Sequence, residues 1–124
     1  MTPDDFREAA LALTGAIEAA HMNHPDFRIN GKIFASLGYP DASWGVVMLT
    51  PDQQHGFVQT YPKTFTPLNN SWGSKGATWV RLASADPAAV DEAFSAAWKN
   101  KQATPAKKPK SPKQSASRGS GRSR

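Results

Sequence analysis

The composition of this chain changes abruptly near residue 101, and that break confines the fold. From Lys101 to Arg124 there are eight Lys or Arg residues and no Asp or Glu. Beyond Gln102 the chain is mostly Lys, Pro, Ser, Ala, Gly and Arg, with no aromatic residue. Such a segment cannot bury enough apolar surface to offset the entropy of ordering it. Residues 102–124 are therefore expected to form a disordered basic tail, and residues 1–101 a single domain of modest core.

The charge follows the same division. Residues 1–100 carry seven basic and ten acidic side chains, so the net charge of +5 belongs to the tail. A clustered cationic tail points to a polyanionic partner. The absence of cysteine excludes disulfides, thiolate zinc sites and cysteine nucleophiles. There is no basic start followed by an apolar run, and no stretch long enough to span a bilayer. These features predict a soluble cytoplasmic protein with no membrane partner, one that the tail could associate with a nucleoid; a monomer is favoured.

Local signals outline the elements. Thr2-Pro3-Asp4-Asp5 opens a helix, with Thr2 as cap and Pro3 at the first helical position. Phe6, Ala10, Leu13, Ile17 and Ala20 follow at helical spacing, which predicts a helix as far as Asn23. Strands are predicted at Phe27–Ile29, Lys32–Leu37 and Ser43–Leu49. Asn30-Gly31 marks a two-residue hairpin, and residues 38–41 the next turn. In the third strand Trp44, Val46 and Met48 share one face, and Val47 and Leu49 the other. Thr50 to about Thr60 reads as a short helix stopped by Pro62. Residues 62–77 read as loop with a short strand at Thr64–Thr66, and Thr78–Ala83 as a strand. A final helix starts at Asp86-Pro87, with a stripe of Val90, Phe94 and Trp98. The order predicts an α+β fold: an antiparallel sheet with the N- and C-terminal helices packed on one face.

Three stretches carry a family resemblance: Pro25-Asp26-Phe27-Arg28-Ile29-Asn30-Gly31-Lys32-Ile33-Phe34-Ala35, Trp72-Gly73-Ser74-Lys75-Gly76-Ala77-Thr78-Trp79-Val80, and the closing helix from Asp86. With the leading helix they cover most of residues 3–101, and the domain resembles the MmcQ/YjbR family. The resemblance implies a frataxin-like (CyaY-like) fold and DNA binding through a double-wing arrangement of hairpins. It supplies no catalytic residues, and the basic tail lies outside the family pattern.

Candidate contacts follow from charge and aromatic placement. Residues 53–85 hold Lys63, Lys75 and Arg81 and no acid, interleaved with Phe57, Tyr61, Phe65, Trp72 and Trp79. Cations suit phosphates, and aromatic rings suit bases and sugars. Arg28 and Lys32 flank the Asn30-Gly31 turn as a wing tip would require. In the tail, Lys107, Lys108, Lys110, Lys113, Arg118, Arg122 and Arg124 can contact phosphates without reading bases. His21, His24 and His55 form no specific metal pattern, and the acids of the first helix match an acidic iron ridge poorly. No metal or cofactor is expected. No phosphate-binding glycine loop or nucleophile arrangement is found, so no enzymatic activity is expected.

The sequence thus points to a small non-enzymatic DNA-binding protein. The domain would contact DNA weakly through Arg28, Lys32, Lys63, Trp72, Lys75 and Arg81, and the tail would hold phosphates non-specifically. DNA is favoured over RNA. The alternative is a protein–protein or small-ligand binding domain with an incidental or RNA-directed tail. That alternative wins if Arg28, Lys32, Lys75 and Arg81 scatter over the domain or pair with Asp26 and Asp41, and the DNA reading gains if they share one face without acids between them.

Overall fold

Thr2 and Asp5 close a capping box, each side chain hydrogen-bonding the other's backbone N–H, at the start of helix α1 (Pro3–Leu11). The computed structural model describes residues 1–21, 24–38 and 41–103. Residues 104–124 of the predicted tail lie outside them, whereas Gln102 and Ala103 end the last helix. After α1 come strands β1 (Ile17–His21), β2 (His24–Ile29), β3 (Lys32–Leu37) and β4 (Trp44–Met48). Helix α2 (Pro51–Thr60), strand β5 (Phe65–Pro67), the one-turn helix α3 (Ser71–Ser74) and strand β6 (Ala77–Arg81) follow. A 3-10 turn at Leu82–Ser84 leads to helix α4 (Pro87–Ala103). The six strands form one antiparallel sheet in the order β1-β2-β3-β4-β6-β5, so the chain has the expected α+β fold. Among the described residues no helix is long and apolar enough to cross a membrane.

The first helix is shorter than its apolar spacing predicts. It stops at Leu11, and Gly15 sits at φ 81°, in the left-handed region that a helix cannot pass through. Residues 17–21 then form an edge strand, pairing Ile17 with Arg28 and His21 with His24. Ile17 is 59% exposed, so it was never part of a buried stripe. Backbone pairing to β2 overrode a helical pattern that only Phe6 and Ala10 fulfil with full burial. Smaller departures are the shift of β5 to Phe65–Pro67, the end of β6 at Arg81, and α3 within the predicted loop.

Other local expectations hold. Asn30 and Gly31 adopt φ 53° and 77°, as both central residues of a type I′ hairpin require. Thr50 and Gln53 form a second capping box at the start of α2. Between β2 and β3 the pairs Phe27–Ala35 and Arg28–Ile33 skip Phe34. This bulge turns Phe34 and Ala35 inward together, and both are fully buried.

One core joins the sheet to the helices. Phe27, Ile29, Phe34, Val47, Phe65 and Val80 from the strands meet Phe6 and Ala10 of α1 and Val90, Ala93, Phe94 and Ala97 of α4. Phe94 is central: its ring lies 4.8 Å from Phe6 and 6.1 Å from Phe34, both edge-to-face. Helix α2 joins the same layer through Phe57, 5.4 Å from Phe65. The helices therefore cover one sheet face. The opposite face carries Arg28, Ile33, Ser36, Trp44, Val46, Trp79 and Arg81, which follow from the cross-strand pairs.

Candidate nucleic-acid interface

Strand direction decides which cations meet. β3 begins at the Asn30–Gly31 turn, β4 returns toward it, and β6 starts beside the end of β4, with Ala77 opposite Met48. Lys32 and Lys75 therefore lie at the same end of the sheet. Lys75 stands just ahead of β6, which lies two strands over from β3. Arg28, just before the turn on β2, shares that end.

Helix α4 brings a further cation, Lys101, to this end. Trp98 Nε1 donates to the Thr14 carbonyl at 2.8 Å, and Asn100 Nδ2 donates to Gln53 Oε1 at 2.7 Å. These bonds fix the C-terminal half of α4 beside the start of α2, with Lys101 near Lys32 and Lys99 on the side of the helix that faces Asp91 and Glu92. Burial lowers the Lys101 pKa from its ordinary value, and the positive charge of Lys32 lowers it further. Two like charges are thus held close where the chain leaves the domain and the basic tail begins. The proximity of Lys101 to Lys32 depends on how α4 crosses the sheet, and no local pattern encodes it.

Trp72 belongs to the same region. It lies on α3, just ahead of Lys75, and is 58% exposed. The turn is held from several sides. Asn70 Oδ1 accepts from the backbone N–H groups of Trp72 and Gly73 at 3.0 and 3.2 Å. Gln54 Nε2, from α2, donates to the carbonyls of Gly73 and Ala77 at 3.0 and 2.9 Å.

Two predicted contacts lie elsewhere. Arg81 ends β6 at the far end of the sheet, with its guanidinium 4.5 Å from the centre of the Trp44 ring. Trp44 in turn sits 5.6 Å from Trp79. Lys63 is near Arg81, because the Arg81 N–H donates to the Thr64 carbonyl at 2.9 Å. Ser84 Oγ donates to the Lys63 carbonyl. Sequence reading missed Trp44 as the partner of Trp79 and Arg81.

Arg28 is largely neutralised where it stands. Its Nε and Nη2 donate to the two carboxylate oxygens of Asp26 at 2.7 and 3.1 Å. Those bonds raise the Arg28 pKa further above its already high value. Asp41 makes no such pair: it accepts from the Ser43 N–H at 2.8 Å.

Asp41 precedes β4 and Asp86 precedes α4, at the end of the sheet away from the turn. Asp5, Glu8 and Asp91 line one open groove, and Asp91, Glu92, Phe57, Gln53 and Lys99 line another. Arg7 bridges Asp4 at 2.8 Å and Glu18 at 3.1 Å, Arg28 holds Asp26, and Asp52 is exposed at the start of α2. Lys32, Lys75 and Lys101 form a basic pole at the root of the tail. No group of three or more His, Asp or Glu side chains suited to a metal occurs among the described residues.

A family model described as YjbR matches residues 11–100. Comparison with curated proteins finds no match, and comparison with solved structures finds none.

Proposed function

This chain belongs to the YjbR family, and from that premise we propose that it is a non-enzymatic DNA-binding protein of the cytoplasm or nucleoid. Its basic pole and its tail engage the same nucleic acid. The observation that carries the reading is the gathering of Lys32, Lys75 and Lys101 at the end of the sheet where the basic tail begins, with α4 fixed there by the Trp98–Thr14 and Asn100–Gln53 bonds. A polyanion offers counter-charge to such a cluster. Lys32, Lys75 and Lys101 supply the domain contact. Lys107, Lys108, Lys110, Lys113, Arg118, Arg122 and Arg124 extend it along the phosphates. Arg28 contributes little charge because Asp26 holds it. Lys63 and Arg81 are too far along the strands to join the same contact, which replaces the six-residue contact expected from sequence with a smaller cluster.

Three observations favour a second reading, a protein or small-ligand binding domain. Arg28 is paired with Asp26, Arg81 stands at the far end of the sheet from Lys32 and Lys75, and an aromatic cluster lies apart from the basic pole. The helix-free sheet face presents Trp44, Trp79 and Arg81 together, remote from the basic pole.

Duplex binding measured against salt concentration tests the first reading, using the full chain and a chain ending at Ala103. Seven tail cations lie beyond Ala103, so truncation should lower the magnitude of the log-salt slope by up to about six. The truncated chain should keep weak binding at low salt that charge removal at Lys32 and Lys75 abolishes. A slope unchanged by truncation overturns this division of labour, and truncated protein that binds no duplex removes the domain from it.

A further inference from the structure

We propose that Trp72 is a stacking platform for an unpaired nucleobase, so that the basic pole takes single-stranded nucleic acid in preference to duplex. The inference rests on the nucleic-acid reading above and names the form of substrate that reading leaves open.

Trp72 is 58% exposed, yet the turn that carries it is held from several sides. A Cβ on Gly73 would lie 1.8 Å from the Leu68 carbonyl oxygen, so the turn packs backbone to backbone against the segment before it. Asn70 caps the turn, Gln54 clamps its Gly73 carbonyl, and the Gly76 N–H donates to that carbonyl at 3.0 Å. A large indole on such a mount loses little backbone freedom when it binds, which favours recognition.

The surroundings specify the occupant. The Lys75 N–H donates to the Trp72 carbonyl at 3.0 Å, so the turn carries Lys75 three residues after Trp72. Lys32 and Lys101 stand at the same end of the sheet. An exposed apolar ring at a cationic end of the domain complements a base attached to a phosphate chain. The ring faces of duplex bases are covered by their stacked neighbours, whereas a single strand offers them freely. Nothing on this turn resembles an edge-reading element, so base identity should matter little.

The test uses the full chain with labelled oligothymidylate of about 16 nucleotides, a common upper site size, and a duplex of equal length at fixed salt. Trp72→Ala should weaken single-strand binding about tenfold or more. Duplex binding and the log-salt slope should stay unchanged, and Trp72→Phe should keep most of the single-strand affinity. Equal loss on both forms, or no loss on either, overturns the platform while leaving the nucleic-acid reading standing. Binding of neither form by the unmodified chain overturns both.

Discussion

Arg28 grips Asp26 in a two-pronged fork, Nε to Oδ1 at 2.7 Å and Nη2 to Oδ2 at 3.1 Å, between residues two apart on one strand. The Asp26 side chain is almost fully buried, whereas about a third of Arg28 meets water. Removing the arginine leaves a buried carboxylate without its main partner, and water reaching the site softens the loss. Arg28→Ala should destabilise the domain by about 2 kcal/mol in urea unfolding. Because its charge is already matched, Arg28→Gln should change duplex affinity less than Lys32→Gln does. Equal losses from the two would place Arg28 in the contact after all.

The depressed Lys101 pKa gives a pH prediction of definite sign. The folded protein releases the Lys101 proton at lower pH than the unfolded chain, whose value is near 10.5. The unfolded state therefore binds more protons just below pH 10.5, and this group's contribution to stability rises with pH through that window. Lys32→Gln removes the like charge and should raise the Lys101 pKa. The amine can be followed by NMR titration. A Lys101 pKa indifferent to Lys32→Gln would separate the two side chains.

The α3 turn depends on contacts from outside itself. Gly76 sits at φ 111°, and a Cβ there would approach the Leu49 carbonyl oxygen to 1.9 Å. Gly76→Ala should cost about 3 kcal/mol through backbone strain and the clash together. Gln54→Ala should cost about 1 kcal/mol by removing one donor from each of the Gly73 and Ala77 carbonyls, which keep backbone donors from Gly76 and Leu68. It should also shorten hydrogen-exchange protection at Gly76 and Ala77 before protection falls in β3.

Ile17 and Phe94 separate the helical pattern from the actual core. Phe94→Ala should cost about 3 to 5 kcal/mol, because the ring bridges α4, Phe6 and Phe34. Ile17→Thr should cost less than about 0.5 kcal/mol, because that side chain is exposed on an edge strand where threonine fits equally well. A large loss at Ile17 would restore it to a buried stripe.

Where a feature depends on a few consecutive residues, it could be read directly from the chain. Thr2 with Asp5 and Thr50 with Gln53 close their own caps, and Asn30-Gly31 has few backbone options but a tight hairpin. The alternation around Val47 and Val80 also predicts which sides of β4 and β6 are buried. The error at residues 12–21 arose where two local codes overlapped: Leu13 and Ile17 continue a helical spacing, while Gly15 breaks it and the partner that makes β1 a strand is β2. Charge was the least local property. Lys32 and Lys101 are separated by most of the domain in sequence, and only the crossing of α4 over β3 brings them together. Coulomb interaction depends on distance in space, so a linear charge map assigned Arg28 and Lys32 to an acid-rich half. The fold instead placed Lys32 at a basic pole with the root of the tail, and held Arg28 against its own buried acid.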